Sequence, residues 1–257
     1  MKRFSIVAKK DDHSIKTEST IKCALEKAGF VYDKIDPELV ITVGGDGTLL
    51  YAVHEYLQAL DRVHFVAIHT GTLGFFTDYR ETEIEQLIHD VIRNEVYEIF
   101  TSSLLEAKLN HQVVYALNEL RIENIVNTQM MDVYIDDEFF ESFKGNGMCL
   151  STQAGSTAYN RSLRGAVVDS GLSVLQLSEI AGIHDARHRS LGAPYILKDT
   201  RSVRFVADDF EHAKLGYDYL QTDLKDVQTI DCKLSSKKVH FIRYKKYSYL
   251  KRVRNLY

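Results

Sequence analysis

The chain has 257 residues, of which 45% are hydrophobic and 26% are charged. This composition allows one large buried core or two smaller ones, and it excludes disorder along the whole length. The formal net charge of −4 disfavours a general nucleic-acid binder, which would carry an excess of positive charge.

The three cysteines, Cys23, Cys149 and Cys232, are widely separated. Such spacing indicates free thiols in a reducing compartment rather than a disulfide framework. The first apolar run, residues 4–8, is too short for a signal peptide, and no apolar stretch reaches the length of a membrane span. We therefore expect a soluble cytoplasmic protein that binds neither membrane nor nucleic acid.

Strand and helix signals alternate over residues 1–100. Short apolar runs predict strands, and longer segments with apolar residues at helical spacing predict helices. The predicted strands are residues 4–8, 39–43 and 63–68, and the predicted helices are residues 14–27, 49–60 and 81–93. Because this alternation is typical of a parallel sheet covered by helices, we expect an α/β domain.

The pattern changes to short alternating runs over residues 101–244, which predict a second, mainly antiparallel β domain. Asp136-Asp137 predicts a turn between two of its strands. Residues 245–257 are expected to pack back on the first domain through Tyr247, Leu250 and Val253, with their charges in water. The alternative for the basic stretch Lys237–Tyr257 is an arm that binds nucleic acid. The predicted strands are residues 104–109, 113–117, 131–135, 203–207, 227–234 and 239–243, with helical patches at residues 157–165 and 172–181.

A glycine-rich loop, Gly44-Gly45-Asp46-Gly47-Thr48, joins a predicted strand to a predicted helix. Glycines there let a ligand approach the bare backbone, and the helix start adds free N–H groups, which together suit a phosphate group. The alternative is a simple turn with Asp46 or Thr48 as a helix cap. An aspartate in an anion-binding loop favours phosphoryl transfer, where it would deprotonate a hydroxyl nucleophile or help to hold Mg²⁺.

A second glycine turn, Thr70-Gly71-Thr72-Leu73-Gly74-Phe75, follows the next predicted strand. Loops at the carboxyl ends of neighbouring parallel strands share one crevice. Phe75 is therefore expected to line a pocket there, or else to be a core residue of an ordinary turn.

Several segments together resemble the NAD kinase family. Residues 44–48 resemble the G-G-D-G-T signature of a superfamily that also contains diacylglycerol and sphingosine kinases. Residues 71–75, the pair Asn118-Glu119, the stretch Lys144-Gly145-Asn146-Gly147 and residues 151–159 (S-T-Q-A-G-S-T-A-Y) match NAD kinases proper in order and spacing. The match is closest to the compact bacterial members.

The resemblance implies a Rossmann-like N-terminal α/β domain and a C-terminal, mainly antiparallel β-sandwich domain that binds NAD and mediates oligomerisation. It implies phosphorylation of the adenosine-ribose 2′-hydroxyl of NAD by Mg²⁺-ATP, or by polyphosphate in some members, in a homodimer or homotetramer. Asp46 matches the catalytic general base, and no metal ligand is assigned to the chain. The remaining matched or expected nucleotide-binding residues are Gly44, Gly45, Gly47, Thr48, Phe75, Asn118, Glu119, Lys144, Asn146, Thr157, Ala158, Tyr159, Asn160, Ser162, Ala181, Asp185 and Asp218.

For Asn118 and Glu119, the chemistry supports the resemblance independently: an amide can read a base edge and a carboxylate can accept from two vicinal hydroxyls. Without the resemblance, a polar pair at a strand end would be the simpler interpretation. For Thr157 and Tyr159 the alternative is an ordinary helix cap, and for Asp218 it is an exposed turn.

The sequence departs from the family pattern at three positions. Asn146 stands where the family usually has Asp, Gln153 replaces the usual Pro, and Arg164 replaces a usual Gly. An amide at position 146 brings no charge and can donate, so nucleotide preference is expected to differ. Because the glycine loop is intact, activity is not in doubt.

Two other function classes stay open at this point: a lipid kinase that shares the G-G-D-G-T loop, and a non-catalytic dinucleotide-binding regulator. His184 and His188, four positions apart, faintly resemble a zinc-protease motif, but Gly192 and Pro194 follow soon after and no third ligand is apparent. Phe139, Phe140 and Phe143 next to the predicted turn predict an exposed aromatic surface used in assembly; the alternative is that they belong to the domain's own core.

Overall fold

The computed structural model describes residues 1–71 and 74–256, so Thr72 and Leu73 of the second glycine turn lie outside the described residues. The chain divides into two compact units. The first unit consists of Met1–Ser102 and Lys237–Tyr257, and the second of Ser103–Ser236.

The first unit alternates strands and helices. Its central strands are apolar and buried on both faces, as parallel strands covered by helices must be. Its elements in chain order are β1 (Arg3–Ala8), α1 (Asp12–Lys27), β2 (Val31–Tyr32), β3 (Leu39–Val43), α2 (Asp46–Glu55), β4 (His64–His69), β5 (Tyr79–Arg80), a short 3₁₀ helix (Glu81–Glu83) and α3 (Ile84–Arg93).

The sheet of the first unit is parallel, with β2, β1, β3 and β4 side by side in that order. Helix α1 begins where the Asp11 side chain accepts a hydrogen bond from the Ser14 amide, and it buries Ile21 and Leu25 against the sheet. This core includes Phe4, Ile41 and Ile68. The carboxyl ends of β3 and β4 are adjacent, because Val43 pairs with Ile68.

The second unit is built almost entirely of strands. The chain passes into this unit through strand β6 (Glu98–Leu109) and returns to the first unit through strand β17 (Thr229–Arg243). The remaining elements of the chain are β6 (Glu98–Leu109), β7 (Gln112–Ala116), β8 (Glu119–Glu123), β9 (Gln129–Ile135), β10 (Glu138–Gly145), β11 (Gly147–Thr152), a 3₁₀ helix (Ala154–Thr157), α4 (Tyr159–Ser162), β12 (Val174–Ile180), β13 (Tyr195–Lys198), β14 (Ser202–Val206), β15 (Lys214–Tyr217), β16 (Leu220–Asp223), β17 (Thr229–Arg243) and α5 (Tyr249–Arg254), the last in the first unit.

Two antiparallel sheets enclose one core in the second unit. One sheet has the order β13-β12-β11-β8-β15-β16, and the other runs β10-β9-β14-β17. Leu120 and Leu150 of the first sheet belong to the same apolar cluster as Val133 and Phe205 of the second. The predicted fold class, an N-terminal α/β domain followed by an antiparallel β domain, is confirmed.

One predicted helix is wrong: residues 172–181 form strand β12 (Val174–Ile180), not a helix. Leu175 and Leu177 enter the core, while the intervening Gln176 bonds the backbone of Ala166. The side chains therefore alternate with the period of a strand, and the apolar spacing was misread.

Several other predicted elements have different bounds. The helix expected at residues 49–60 is α2, which begins at Asp46 and ends at Glu55. The patch at residues 157–165 is a 3₁₀ helix followed by one helical turn. The two runs expected at residues 227–234 and 239–243 are one strand, β17. The Asp136-Asp137 turn is confirmed, since both residues have positive φ between β9 and β10.

The C-terminal segment packs differently from the prediction. Leu250 is 70% exposed, whereas Arg252 is only 9% exposed. A buried guanidinium needs hydrogen-bond partners, and Arg252 Nη2 donates to the carbonyl oxygen of Thr77 at 2.6 Å. The expectation that the charges of this segment stay in water is therefore wrong for Arg252.

The predicted aromatic surface is also only partly present. Phe143 is fully buried in the core of the second unit, and Phe140 stacks on Tyr195 with ring centroids 5.5 Å apart. Phe139 is 54% exposed on the edge strand β10. Within the described residues, no helix has both the length and the apolar character needed to cross a membrane.

Candidate active site

The glycine loop follows β3 directly and is held tightly at its first residue. Gly44 has φ +153°, and a Cβ there would lie 2.2 Å from Thr48 Oγ1. Its amide donates to the carbonyl oxygen of Ile68 on the neighbouring strand at 2.9 Å. A side chain at position 44 would therefore displace the start of α2.

Asp46 is the first residue of α2, and its carboxylate lies against the turn that follows β4. Its Oδ2 accepts from the Phe75 amide at 2.7 Å and its Oδ1 from the Phe76 amide at 3.1 Å. A Cβ on Gly74 would lie 2.1 Å from Asp46 Oδ1. The loop after β3 and the turn after β4 thus fix one carboxylate, and Gly74 leaves room for it.

The pKa of Asp46 is raised above its ordinary value. Burial is the largest cause, because it disfavours the charged form. The hydrogen bonds from the Phe75 and Phe76 amides oppose the shift, as do the positive charges of Arg252 and His69. A carboxylate with a raised pKa accepts a proton more readily, so Asp46 is suited to act as a base.

The backbone beside Asp46 is open. A Cβ on Gly45 or Gly47 would meet no atom within 4 Å. These glycines line a pocket of roughly 450 Å³ together with Lys9, Thr48, Thr70 and Gly71. We call this pocket the glycine cradle. Bare backbone at a helix start, with a lysine opposite, is an arrangement that binds phosphate.

The C-terminal segment supports the turn that holds Asp46. The Tyr247 hydroxyl donates to the carbonyl oxygen of Phe75, and Arg252 Nη2 donates to that of Thr77. The Phe75 ring lies 5.9 Å from the ring of Tyr249. Phe75 therefore contributes a backbone amide to the site and packs its ring against α5.

In the second unit, Asp218 organises the approach to Asn118 and Glu119. Its Oδ2 accepts from the Leu117 amide and its Oδ1 from the Asn118 amide, both at 2.8 Å. Thr152 Oγ1 donates to the Leu117 carbonyl oxygen at 2.6 Å. Asp218 is 7% exposed, so it is neither an exposed turn residue nor a free carboxylate; it holds the turn.

Asn118 and Glu119 present buried acceptors. Within the described residues, Asn118 Oδ1 and Glu119 Oε2 have no hydrogen-bond partner. The pKa of Glu119 is raised to about 7, first by burial and then by the negative charge of Asp218, although Arg121 opposes the shift. Unpaired buried acceptors cost free energy, so the chemistry of this pair suits a ligand with O–H or N–H donors.

The segment after β11 lies beside this pair. A Cβ on Gly155 would lie 2.1 Å from the carbonyl oxygen of Asn118, so only glycine allows the close approach. Tyr159 donates its amide to Glu119, and the Arg121 guanidinium lies 4.3 Å from the centre of its ring. Thr157 and Ala158, which lie between Gly155 and Tyr159 in the sequence, are partly exposed.

Two further predicted residues of this segment differ in burial. Asn160 is fully buried and accepts from Ser178 Oγ at 2.9 Å, so it stabilises the core of the second unit. Ser162 is exposed at the end of α4.

The other predicted residues of the second unit form a separate group. Lys144 Nζ donates to Asp185 Oδ2 at 3.0 Å, and Asn146 Nδ2 donates to the Asn124 carbonyl oxygen at 3.1 Å. The Lys144 hydrogen bond lowers the pKa of Asp185 most, followed by the amides of His188 and Arg187. Ala181, with φ +48°, lies at the end of β12 beside this group.

Strand pairing shows that these two groups lie at opposite ends of β8 and β11. Glu119 pairs with Ser151, and Glu123 pairs with Gly147. At about 3.3 Å per residue, the two ends are roughly 13 Å apart. The structure thus gathers the predicted residues of the second unit into two clusters, not one.

Comparison with known proteins identifies the family. Residues 6–96 match the ATP-NAD kinase N-terminal domain, and residues 117–244 match the ATP-NAD kinase C-terminal domain. The chain belongs to the ATP-NAD kinase family. The resemblance inferred from the sequence is confirmed, and the chain is an NAD kinase enzyme.

Curated relatives are similar over nearly their whole length. An NAD kinase of Levilactobacillus brevis is 38% identical and an NAD kinase 1 of Bacillus anthracis is 35% identical; both matches cover 98% of this chain, and they cover 96% and 97% of the relatives. These matches give no support to a lipid kinase.

Two solved structures share the fold of this kinase. An NAD kinase from Archaeoglobus fulgidus in complex with ATP is 26% identical with a TM-score of 0.76, and the match covers 99% of this chain and 96% of that one. Yeast NADH kinase complexed with NADH has a TM-score of 0.85 at 19% identity, with coverages of 99% and 86%.

The structure shows the surroundings of two residues that depart from the family pattern, Gln153 and Arg164. Gln153 Nε2 donates to the Val168 carbonyl oxygen at 3.1 Å, so an amide fixes the following loop where the family has Pro. Arg164 has φ +61°, a left-handed conformation that favours the family's usual Gly.

Sequence reasoning missed several residues of the site. Arg121 could have been found, because Glu119, Arg121 and Glu123 alternate along one strand and therefore share a face. Tyr247 and Arg252 gave no such signal. They reach the turn that holds Asp46 only because the C-terminal segment folds back on it.

Proposed function

We propose that this kinase transfers the terminal phosphoryl group of ATP to the 2′-hydroxyl of the adenosine ribose of NAD, with Asp46 as the general base. The observation that carries this proposal is a partly buried carboxylate with a raised pKa, fixed by two amides beside an open glycine cradle. In this scheme Asp46 accepts the hydroxyl proton as the hydroxyl oxygen attacks the γ-phosphorus, and ADP leaves as the bond between the γ-phosphorus and the bridging oxygen breaks.

The glycine cradle is the proposed binding site of the donor phosphates. The free backbone of Gly45 and Gly47, the Thr48 side chain and the Lys9 ammonium group all supply positive potential or hydrogen-bond donors. A chain of phosphates alone offers the same chemistry, so polyphosphate is the alternative donor. The cradle recognises phosphate and does not by itself select the nucleoside.

Mg²⁺ is proposed to accompany the donor, because phosphate oxygens are ligands that Mg²⁺ prefers. Both oxygens of Asp46 already accept an amide hydrogen, so the carboxylate fits a proton acceptor better than a principal metal ligand. When bound, Mg²⁺ neutralises charge on the transferred phosphates.

Asn118, Glu119 and Tyr159 are the proposed acceptor site. The unpartnered Asn118 Oδ1 can accept from an adenine amino group, and Glu119 can accept from ribose hydroxyls. The Tyr159 ring offers a stacking surface. Asp218 and Thr152 hold the turn that positions this pair, so we assign them a positioning role.

We further propose that the chain works as a homotetramer or homodimer in which Lys144, Asn146, Ala181 and Asp185 serve the site of another subunit. Their separation from Glu119 along β8 and β11 supports this assignment. Phe139, exposed on the edge strand β10, supports assembly through the second unit. Three free cysteines support a reducing compartment, for which we propose the cytoplasm.

The test replaces Asp46 by Asn and follows the NAD- and ATP-dependent formation of NADP in a coupled assay. Loss of general-base catalysis should lower kcat by about 10²–10⁴-fold, whereas the dissociation constant for NAD should change little because the acceptor residues are untouched. In wild type, kcat should fall as the pH drops through the raised pKa of Asp46, since only the charged form accepts the proton.

The matched control is Asp12→Asn, because Asp12 is an exposed aspartate in the first turn of α1. It should keep wild-type kinetics. Near-wild-type turnover of the Asp46→Asn enzyme would show that Asp46 is not the base.

A further inference from the structure

A second pocket lies in the first unit and shares no lining residue with the glycine cradle. Its volume is about 740 Å³. We call it the basic pocket, since its wall includes Arg80, Lys245, Lys246, Lys251, Arg252 and Arg254. The phosphoryl-transfer scheme uses none of its space.

The two acidic residues in the wall, Glu83 and Asp78, already interact with basic side chains. Glu83 accepts from Lys245 Nζ at 2.7 Å and from the Arg80 amide at 2.8 Å. Asp78 lies 3.7 Å from Arg243 Nε. These acids therefore do not neutralise the rest of the wall.

Three cations of the wall remain uncompensated. Lys246, Lys251 and Arg254 have no ion pair with any residue in the described part of the chain. Like charges held around one cavity repel each other and destabilise the folded state unless an anion enters. The arrangement therefore favours a ligand that carries several negative charges close together.

Arg252 adds a buried donor at the same wall. It is 9% exposed, and within the described residues its Nη1 has no hydrogen-bond partner although Nη2 bonds Thr77. An unpaired buried guanidinium N–H is costly. An anion in the pocket would offset this cost by its field and by accepting from the guanidinium.

Linked phosphates fit these requirements better than a single anion does. A guanidinium binds phosphate with two hydrogen bonds, and ammonium groups bind it as point charges. A cavity of about 740 Å³ also has room for more than one phosphate. We propose that the basic pocket binds a ligand with two or more linked phosphate groups, at a site separate from the glycine cradle.

The test measures binding of radiolabelled tripolyphosphate by equilibrium dialysis of the full chain at physiological ionic strength. A non-hydrolysable ATP analogue with Mg²⁺ is present in excess to fill the glycine cradle. The variant combines Lys246→Ala with Lys251→Ala, two exposed lysines of the basic pocket. Loss of two charge-assisted contacts should weaken binding at least about tenfold.

The matched control combines Lys16→Ala with Lys27→Ala, which removes the same charge from exposed positions on α1. It should bind tripolyphosphate as wild type does. If both double variants lose the same affinity, overall charge rather than the basic pocket attracts the ligand and the proposal is overturned. Absence of saturable binding both of tripolyphosphate and of a second analogue overturns it as well.

The number of ligands bound per chain distinguishes a site for free oligophosphate from a site for the phosphates of a nucleotide. A site for free oligophosphate retains one tripolyphosphate per chain under excess analogue. A site for nucleotide phosphates instead binds a second analogue, which displaces tripolyphosphate, and the Lys246→Ala, Lys251→Ala variant returns to one analogue per chain. Either result supports a second phosphate site. One analogue per chain in wild type with no tripolyphosphate bound contradicts it.

Discussion

The glycine cradle and the Asn118–Glu119 site present opposite hydrogen-bonding chemistry. The cradle offers donors: open backbone at Gly45 and Gly47 and the ammonium group of Lys9. The second site offers buried acceptors without partners, Asn118 Oδ1 and Glu119 Oε2. Donors suit phosphate oxygens and acceptors suit hydroxyl and amino groups, so the proposed scheme assigns the phosphate donor to the first site and the nucleoside acceptor to the second.

The glycines of the two sites also serve different purposes. Gly74 leaves room for a functional carboxylate, whereas Gly155 leaves room for the backbone of Asn118. A methyl group at each position would meet an obstacle at 2.1 Å, yet the consequences should differ. A methyl group at position 74 should lower the rate of the chemical step, whereas a methyl group at position 155 should lower the stability of the folded structure.

Of the variants that test this comparison, Gly74→Ala is expected to have the largest effect. The added Cβ must displace the Asp46 carboxylate, and misplacement of a catalytic group by about 1 Å costs about 10²-fold in rate. We expect kcat to fall by about that factor while the melting temperature and the KM for NAD change little. Steady-state kinetics and calorimetry give the two readouts.

Gly155→Ala is the matched comparison for that variant. Its Cβ meets a backbone carbonyl that cannot turn away, so we expect a loss of about 1–3 kcal/mol in unfolding free energy. If Gly74→Ala were destabilised as strongly and kept its kcat, the distinction between the two glycines would be wrong.

A smaller effect is expected for Glu119→Gln. At pH 8, loss of charge-assisted hydrogen bonds worth about 1.5–3 kcal/mol should raise the KM for NAD about 10- to 100-fold, with kcat changed much less. In wild type, KM should rise as the pH falls through about 7, the pKa of Glu119, because protonation removes the charged acceptor. This pH dependence should vanish in Glu119→Gln.

Glu106→Gln provides the control, since Glu106 is a partly buried carboxylate of the same unit that bonds Ser235. Its KM and pH profile should match wild type. A pH-dependent KM that survives in Glu119→Gln would assign the titration to another group.

The sequence was sufficient to predict the architecture and the motif residues because both depend on local patterns. Apolar runs identified β3 and β4, and the glycine loop between β3 and α2 indicated phosphate chemistry. Contacts between distant segments left no pattern: the hydrogen bonds of Tyr247 and Arg252 to the turn beyond β4 join residues more than 170 positions apart. The burial of Asn160 and Asp218 left no local pattern for the same reason, because burial is decided by packing.

A still smaller effect is expected for Asn146→Asp, which restores the usual family residue. A carboxylate accepts a hydrogen bond about twice as strongly as an amide oxygen but loses the donation of Asn146 Nδ2 to the Asn124 carbonyl oxygen, so the KM for nucleotide should change about three- to tenfold with kcat nearly unchanged. Asn127→Asp adds the same charge at an exposed position on the same connection as Asn124 and should leave KM unchanged. A large fall in kcat with constant KM would mark an interaction made only in the transition state.

The smallest effect is expected for Arg164→Gly, and it should appear in stability alone. Arg164 has φ +61°, and a left-handed backbone costs a residue with a Cβ about 1–2 kcal/mol, part of which glycine loses again through the greater freedom of its unfolded chain. We expect a net gain of about 0.5–1 kcal/mol in the free energy of unfolding, and the melting temperature should rise by roughly 2–4 °C for each kcal/mol gained.

Arg164→Ala is the control, because it removes the same side chain but keeps the Cβ, and it should gain no stability. If both variants were stabilised equally, the exposed guanidinium and not the backbone would be the cause. Unchanged kcat and KM in both would separate this position, despite its closeness in sequence to Tyr159, from the acceptor site.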